Sequence, residues 1–149
     1  MEDNTKYDVA VELISDILFQ QDVSLSVNSG SGIAELKIET ELPFRIKDKW
    51  ATIGDDNKPW HLHLNMDEVV HARFVKETRS DWRQSYSIRF FDSIGHLAMR
   101  ANFIKLYDNN GNLIMEKAAK FDEIYAKYGE KEILSVSMLI VSVGLAARR

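Results

Sequence analysis

The chain has no cysteine among its 149 residues. Disulfide bridges, thiolate metal sites and cysteine nucleophiles are therefore excluded, and the absence fits a reducing compartment. The sequence also lacks a Walker loop, a G-x-G-x-x-G pattern and a G-x-S-x-G nucleophile elbow. No pair of carboxylates stands out as an acid/base dyad, so the motifs do not favour an enzyme.

Long runs of one residue type are missing too. The sequence has no basic run and its net charge is −4, which argues against a nucleic-acid binder. The longest apolar stretch, residues 134–147, is interrupted by serines and a glycine and is shorter than the roughly 18 residues that indicate a membrane span. The first residues are acidic and polar, without the charge pattern of a signal peptide. We therefore expect a protein without membrane insertion.

The remaining composition is that of an ordinary globular protein. Apolar residues make up 45% and charged residues 28% of the chain. A chain of this length buries a sizeable core, and we expect a single domain over residues 1–149.

Hydrophobic periodicity predicts an α+β fold. Apolar residues at helical spacing predict a helix over about 6–19 and another over about 114–128. Between them, alternating patterns predict seven or eight strands, which we expect to form a single large antiparallel sheet. The segment 133–149 fits either a strand or a buried helix.

All four histidines lie between Trp60 and Phe103, on segments that alternate like strands. His61 and His63 share one face of the first segment, and Met66-Asp67-Glu68 resembles a short loop before the next. If this loop closes a hairpin, His63 pairs with His71 and His61 pairs with Arg73. The prediction is a hairpin that clusters three imidazoles on one face.

A second hairpin is predicted around Asp92-Ser93-Ile94-Gly95, where Asp and Gly occupy the first and fourth positions of a type I turn. Closing this turn pairs Phe90 with Leu97, Ile88 with Met99 and Tyr86 with Ala101. The opposite face then carries Ser87, Arg89 and Phe91 against His96, Ala98 and Arg100.

Each candidate site has an ordinary structural alternative. His61, His63 and His71 could bind zinc or non-haem iron, or they could be half-exposed sheet residues. Arg73, Arg89 and Arg100 could bind an anion, or they could form a solvated face paired with carboxylates. A third group is aromatic and fits either a flat ligand's pocket or the core: Trp60, Trp82, Tyr86 and Phe91.

The segments WHLHLNMDEVVHARFVKE and SYSIRFFDSIGHLAMRANFIKLYD resemble the haem-utilisation superfamily that includes HemS, ChuX and HutX. The parts that resemble the motifs of this superfamily are residues 63–77, the strand Ser87–Asp92 with Gly95, and FDEIY at 121–125. The resemblance extends over about residues 22–128.

The resemblance implies a saddle-like half-barrel, often dimeric, that binds haem on its sheet and acts in cytoplasmic haem transfer, storage or breakdown. It implies His63 as the iron ligand, with His71 eight residues later. His61 shares a strand face with His63, so it could compete for the iron. Arg73, Arg89 or Arg100 then lies near the propionates, and Tyr86 lines the cofactor. A haem-contacting histidine of the family's early hairpin has no counterpart near residues 26–28.

Two other functions stay open at this point. The first is a non-haem metal protein that uses His61, His63 and His71. The second is a ligand-free interaction module that keeps only the fold.

Overall fold

The structure is a computed structural model that describes residues 5–38, 41–129 and 134–142. Along the chain, one helix is followed by eight strands, a second helix and a last strand. A 3₁₀ turn at Thr5–Tyr7 precedes α1 (Asp8–Leu18), and α2 is Met115–Tyr128. The strands are β1 (Val23–Asn28), β2 (Ile33–Lys37), β3 (Phe44–Lys47), β4 (Trp50–Gly54), β5 (His61–Asn65), β6 (Val69–Thr78), β7 (Gln84–Asp92), β8 (Leu97–Phe103) and β9 (Ser135–Val141).

The strands form two sheets. Six of them hydrogen-bond in the order β2-β1-β8-β7-β6-β9, and the other three form a smaller sheet in the order β3-β4-β5. All pairings are antiparallel except β6 with β9, which is parallel. The predicted α+β class is confirmed, with a large, mostly antiparallel sheet and a helix toward each end. The strands divide between two sheets instead of forming the single one we expected.

One face of the six-stranded sheet, here called the inner face, packs against both helices. Leu13 and Ile17 of α1 and Phe121 of α2 are fully buried there. The ring of Phe121 lies 5.2–5.5 Å from the rings of Phe74, Tyr86 and Phe103, on β6, β7 and β8 respectively. The apolar alternation of these strands is therefore explained by the helices that cover this face.

The segment whose conformation the sequence left open is a strand. β9 pairs along β6 from Ser135 opposite His71 to Val141 opposite Glu77. Its serines alternate with apolar residues because one side of β9 joins the core, through Val136 and Met138. Residues 130–133 and 143–149 lie outside the described residues.

The predicted hairpin between the two histidine-bearing strands is wrong. β5 pairs with β4 in the small sheet, and β6 pairs with β7 and β9 in the large one. After β5, the backbone N–H of Met66 still donates to the carbonyl of Lys49 at 2.7 Å, and the Met66 side chain enters the core. The three residues that resemble a hairpin loop therefore carry the chain from one sheet to the other.

The second hairpin is confirmed, with a different register. The N–H of Gly95 donates to the carbonyl of Asp92 at 3.1 Å, as in a type I turn. A bulge between Phe90 and Phe91 pairs Phe90 with Met99 and Ile88 with Ala101. The predicted register is therefore wrong by two residues. A shift of two keeps each side chain on its face, so the division into two faces is unchanged.

A glycine in β4 fixes the approach of the chain to β5. Gly54 has φ +86°, and a Cβ added there would lie 2.7 Å from the carbonyl oxygen of Trp60. We expect Gly54→Ala to lower the free energy of unfolding by about 1–3 kcal/mol, since strain at positive φ adds to a backbone clash. Denaturant unfolding followed by circular dichroism measures this loss.

Gly95 provides the matched control for Gly54. It has nearly the same φ, +87°, but nothing lies within 4 Å of an added Cβ. Gly95→Ala should therefore cost less than Gly54→Ala, because it introduces the strain without the clash. Equal losses in the two variants would contradict the assigned contact with Trp60.

Candidate functional site

The face of the six-stranded sheet opposite the helices, here called the outer face, carries a row of arginines. Arg73 pairs with Arg89, and Arg89 pairs with Arg100, on three adjacent strands. The row is flanked by serines, Ser26 beside Arg100 and Ser137 beside Arg73. The sequence-predicted arginine group is thus brought together, at directly opposed positions.

The positive charges of this arginine row are only partly compensated. Arg89 is held by Glu77, with 3.1 Å between Nη2 and Oε2, and its Nε donates to the hydroxyl of Ser87. Within the described part of the chain, Arg73 and Arg100 have neither an ion pair nor a hydrogen bond from their side chains. Like charges directly opposed across strands are destabilising, so this row favours an anion on the outer face.

Arg100 is half-buried and has one fully enclosed nitrogen. Its Nε is shielded from solvent and has no hydrogen-bond partner among the described residues. Burial, and next the charge of Arg89, lower the pKa of Arg100 below its ordinary value, while Glu77 acts in the opposite direction. A buried donor without an acceptor is uncommon in proteins, so the Nε of Arg100 is an exception among the described residues.

An aromatic stack lies at the Arg73 end of the row. The imidazole of His71 is stacked on Phe91, with ring centroids 5.2 Å apart and planes inclined by 16°. The guanidinium of Arg73 lies 5.6 Å from the centre of the same Phe91 ring. This combination offers a flat, partly apolar surface beside positive charge, which suits an aromatic anion.

His63 lies on the small sheet, separately from His71. It pairs with Thr52 on β4, and its Nδ1 is 2.8 Å from the hydroxyl oxygen of Thr52. Thr52 is buried, whereas the imidazole of His63 is exposed. When Nδ1 carries the proton and donates to Thr52, Nε2 has a free lone pair, as in metal-binding histidines.

The other sequence-predicted residues are placed less favourably. His61 lies beside His63, with ring centroids 5.0 Å apart. The side chain of His96 is 76% exposed and next to Asp92. Tyr86 is buried on the inner face against Phe121, so the sheet separates it from the arginine row.

The predicted three-histidine metal cluster does not form. His61 and His63 belong to the small sheet, and His71 belongs to the large one. In the described ranges, no group of three or more His, Asp or Glu side chains could hold a metal ion. The histidines are separated because β5 and β6 pair with different strands, and hydrophobic periodicity does not predict which strands pair.

Two supporting residues were missed by sequence reasoning. Thr52 holds His63, and Glu77 holds Arg89. The alternation of residues 50–53 indicates a strand, but Thr52 is recognisable as a partner of His63 only when β4 is known to pair with β5. Glu77 lies at the end of β6, on the face that Arg73 occupies.

Comparison with known proteins gives a family and several similar folds. A protein-family model matches residues 11–129, whereas no curated protein matches the chain. The crystal structure of ChuX aligns over 85% of this chain and 74% of its own, with a TM-score of 0.66 and 16% identity. A protein from Agrobacterium tumefaciens aligns over 83% of this chain and 67% of its own, with a TM-score of 0.63 and 21% identity.

Two of the similar structures are described as haem proteins. ChuX is described as a heme-binding protein in a second structure, with a TM-score of 0.66. Holo-PhuS, a heme-binding protein from Pseudomonas aeruginosa, aligns over 78% of this chain with a TM-score of 0.58 and 14% identity. This chain covers 32% of PhuS. At these identities, the similarity concerns the fold.

Neither helix in the described residues combines the length and the apolar character that crossing a bilayer requires.

Proposed function

Since the chain belongs to the haem-utilisation superfamily of HemS-, ChuX- and HutX-like domains, we propose that it binds haem for transfer or storage. Haem supplies an iron that accepts an axial imidazole, a flat macrocycle and two carboxylates. This chain has a counterpart for each of the three. The similar structures described as heme-binding support the same proposal.

The proposed iron ligand is His63. The observation that carries this assignment is the hydrogen bond between Nδ1 of His63 and the buried hydroxyl of Thr52. It orients the ring and, when Nδ1 carries the proton, leaves the lone pair of Nε2 for iron. His61 has no such partner among the described residues, and its ring instead contacts the ring of His63 edge to face.

The proposed partner of the haem carboxylates is the arginine row. Arg73 and Arg100 have guanidinium groups that no described carboxylate neutralises, and guanidinium binds carboxylates in a two-pronged geometry. The stacked rings of His71 and Phe91 provide a planar surface that suits the macrocycle. Tyr86 is left out of this site because it is buried on the inner face.

Adding haemin to the purified protein should produce a shifted Soret band that saturates at about one haem per chain. Difference absorbance spectroscopy measures both the shift and the stoichiometry. His96→Ala is the matched control, because His96 is exposed beside the turn and should leave the titration unchanged. If the wild-type protein gives no shift, the haem proposal is wrong, and the chain is better described as an interaction module of the same fold.

Three further predictions from the sequence stay predictions. They are a homodimer, a cytoplasmic location and a single domain over residues 1–149.

A further inference from the structure

Three tight turns of the chain share one hydrogen-bond pattern. In each of them, the first residue donates its N–H to the carbonyl of the fifth residue, and its own carbonyl accepts from the N–H of the fourth. The turns are residues 79–83, 92–96 and 108–112. The fourth residue has a positive φ in all three, and it is Gly95 in one, Gly111 in another and Trp82 in the third, where φ is +66°.

Trp82 is strained in this position, and no contact within the described part of the chain offsets the strain. Positive φ is natural for glycine, whereas for a bulky residue it is an outlier that costs free energy. The indole is 78% exposed. Uncompensated backbone strain is typical of residues with a functional role. The side chain of Trp82 is therefore a candidate for contact with another molecule.

The turn at residues 79–83, here called the Trp82 turn, lies at an end of the molecule where other apolar side chains are exposed. The hydroxyl of Tyr107 accepts the N–H of Gln84 at 2.6 Å and donates to the carbonyl of Gln84 at 2.9 Å, which holds the turn beside the loop after β8. Phe19 and Met115 are largely exposed near the same loop. Phe19 lines a pocket together with Leu106, and Met115 follows the residue whose N–H donates to the carbonyl of Leu106. Exposed apolar side chains that gather in one region are typical of an interaction surface.

The pocket beside this loop has the size and the lining to receive an indole. Its volume of about 420 Å³ lies within the range of ligand pockets, about 300–1,000 Å³. Its apolar lining comes from Phe19, Phe103, Ile104 and Leu106, and Lys120 adds a cation, which is attracted to the face of an indole. We call it the Phe19 pocket. Trp82 of the same chain does not line it.

The charges around the two features are complementary. The Trp82 turn carries Arg79, Asp81 and Arg83, and the Phe19 pocket is also lined by Glu116 and Lys120. Because each side offers both signs, opposite charges can face each other when the indole is inserted. A surface of a single sign, such as an anionic membrane, would instead meet a like charge. The charge pattern therefore favours a second copy of this chain.

We infer that this end of the molecule is a contact between two copies of the chain, in which Trp82 of each copy enters the Phe19 pocket of the other. A projecting side chain and a pocket on one surface are self-complementary, as a two-fold contact requires, and the contact then occurs twice. The inference goes beyond the dimer that the family resemblance implies, because it assigns the residues of the contact. It does not depend on haem.

Sedimentation velocity of the full chain without haem tests the assignment of Trp82. The wild type should form a dimer at micromolar concentration, and Trp82→Gly should raise the dissociation constant at least about tenfold, since tryptophan is enriched among the residues that dominate interfaces. Glycine is chosen because the other two turns have it at this position. Ile94→Ala is the matched control, because Ile94 is as exposed as Trp82 but lies in the turn at the opposite end of β7. It should leave the dissociation constant unchanged.

A mixture of two variants tests whether the contact crosses between copies. Phe19→Ala alters the pocket at an exposed side chain and should also weaken association. A mixed dimer of Trp82→Gly with Phe19→Ala keeps one complete contact, whereas neither variant alone keeps any. The mixture should therefore associate more strongly than either variant. A mixture that associates no better than its components would overturn the inference.

The stability of the monomer separates a binding role of Trp82 from a structural one. In solutions dilute enough for both proteins to be monomeric, Trp82→Gly should melt at the wild-type temperature or above it, because glycine relieves the strain at positive φ. A lower melting temperature together with unchanged association would show that Trp82 stabilises the fold, and the inference would be wrong.

The remaining outcomes separate this contact from the other proposals. A wild type that stays monomeric overturns the assignment to a second copy and leaves the indole to a different partner. A dimer that persists in Trp82→Gly uses another surface, which also overturns the inference while the predicted homodimer stands. A failed haemin titration would reject the haem proposal and leave this contact unaffected.

Discussion

The haem complex of the His63→Ala variant should lack the absorbance that iron with an axial imidazole gives in the wild type. Its Soret band should be blue-shifted or absent. The reason is local, since the Thr52 hydroxyl orients the wild-type imidazole and alanine leaves no nitrogen at that position. The site is on a strand of the small sheet with its side chain exposed, so the substitution leaves the core intact. Absorbance spectra of the two haemin complexes measure the change.

Exogenous imidazole provides the control for His63→Ala. If the imidazole of His63 is the ligand, free imidazole at millimolar concentration should restore the ligated spectrum in the variant. Thr52→Val should have a smaller effect on the spectrum, because it removes the orienting hydroxyl but keeps the ligand. Circular dichroism of the variant excludes unfolding of the small sheet, which the rescued spectrum alone does not, because imidazole also binds free haemin.

Two other histidines make the assignment of His63 testable. His71→Ala should weaken binding without removing the axial ligand, because His71 stacks on Phe91 and belongs to the flat surface. His96→Ala should change little. If the spectrum survives His63→Ala but collapses in His96→Ala, the iron lies near the turn of the second hairpin and the assignment is wrong.

The histidine strands show where sequence reasoning succeeds and where it stops. Alternation correctly predicts that His61 and His63 share a face, because side chains on a strand have a period of two. It does not predict the strand's partner. Met66 looks like part of a loop but is buried, and the chain passes at this point from one sheet to the other.

The arginines were the more predictable part of the site. Arg89 and Arg100 are connected by a short turn, so a register error of two residues leaves them on one face. Arg73 joins them because β6 pairs with β7, its neighbour along the chain. The enclosure of the Arg100 Nε was not predictable, because it depends on which side chains tertiary packing brings around it.

The conformation of β9 is a second feature that the sequence alone did not predict. Its alternation of serine with apolar residues is compatible with a strand or a helix, since the segment is short. Parallel pairing with β6 requires a distant segment, and the helix α2 lies between them in the chain. Parallel strands need such long connections. A short hairpin turn, which would indicate from the sequence that two strands pair, is therefore absent between them.

Replacing Phe121 by alanine should have the largest effect on stability. Phe121 is fully buried, and three aromatic rings from different strands surround it. Truncating a buried phenylalanine usually lowers the free energy of unfolding by about 3–5 kcal/mol, a large part of the roughly 5–15 kcal/mol of a typical domain. Denaturant unfolding measures the loss, and Phe19→Ala, at a side chain that is 89% exposed, is the control.

The effect of Phe121→Ala should extend to the outer face. The rings that Phe121 contacts belong to Phe74, Tyr86 and Phe103, on the same three strands that carry the arginine row. A cavity behind these strands loosens the spacing of the guanidinium groups, so haem affinity should fall together with stability. Phe121→Leu, which leaves a smaller cavity, keeps the comparison available if the alanine variant does not fold. A Leu variant that is destabilised while its haem affinity stays unchanged would show that α2 supports the sheet without setting the geometry of the site.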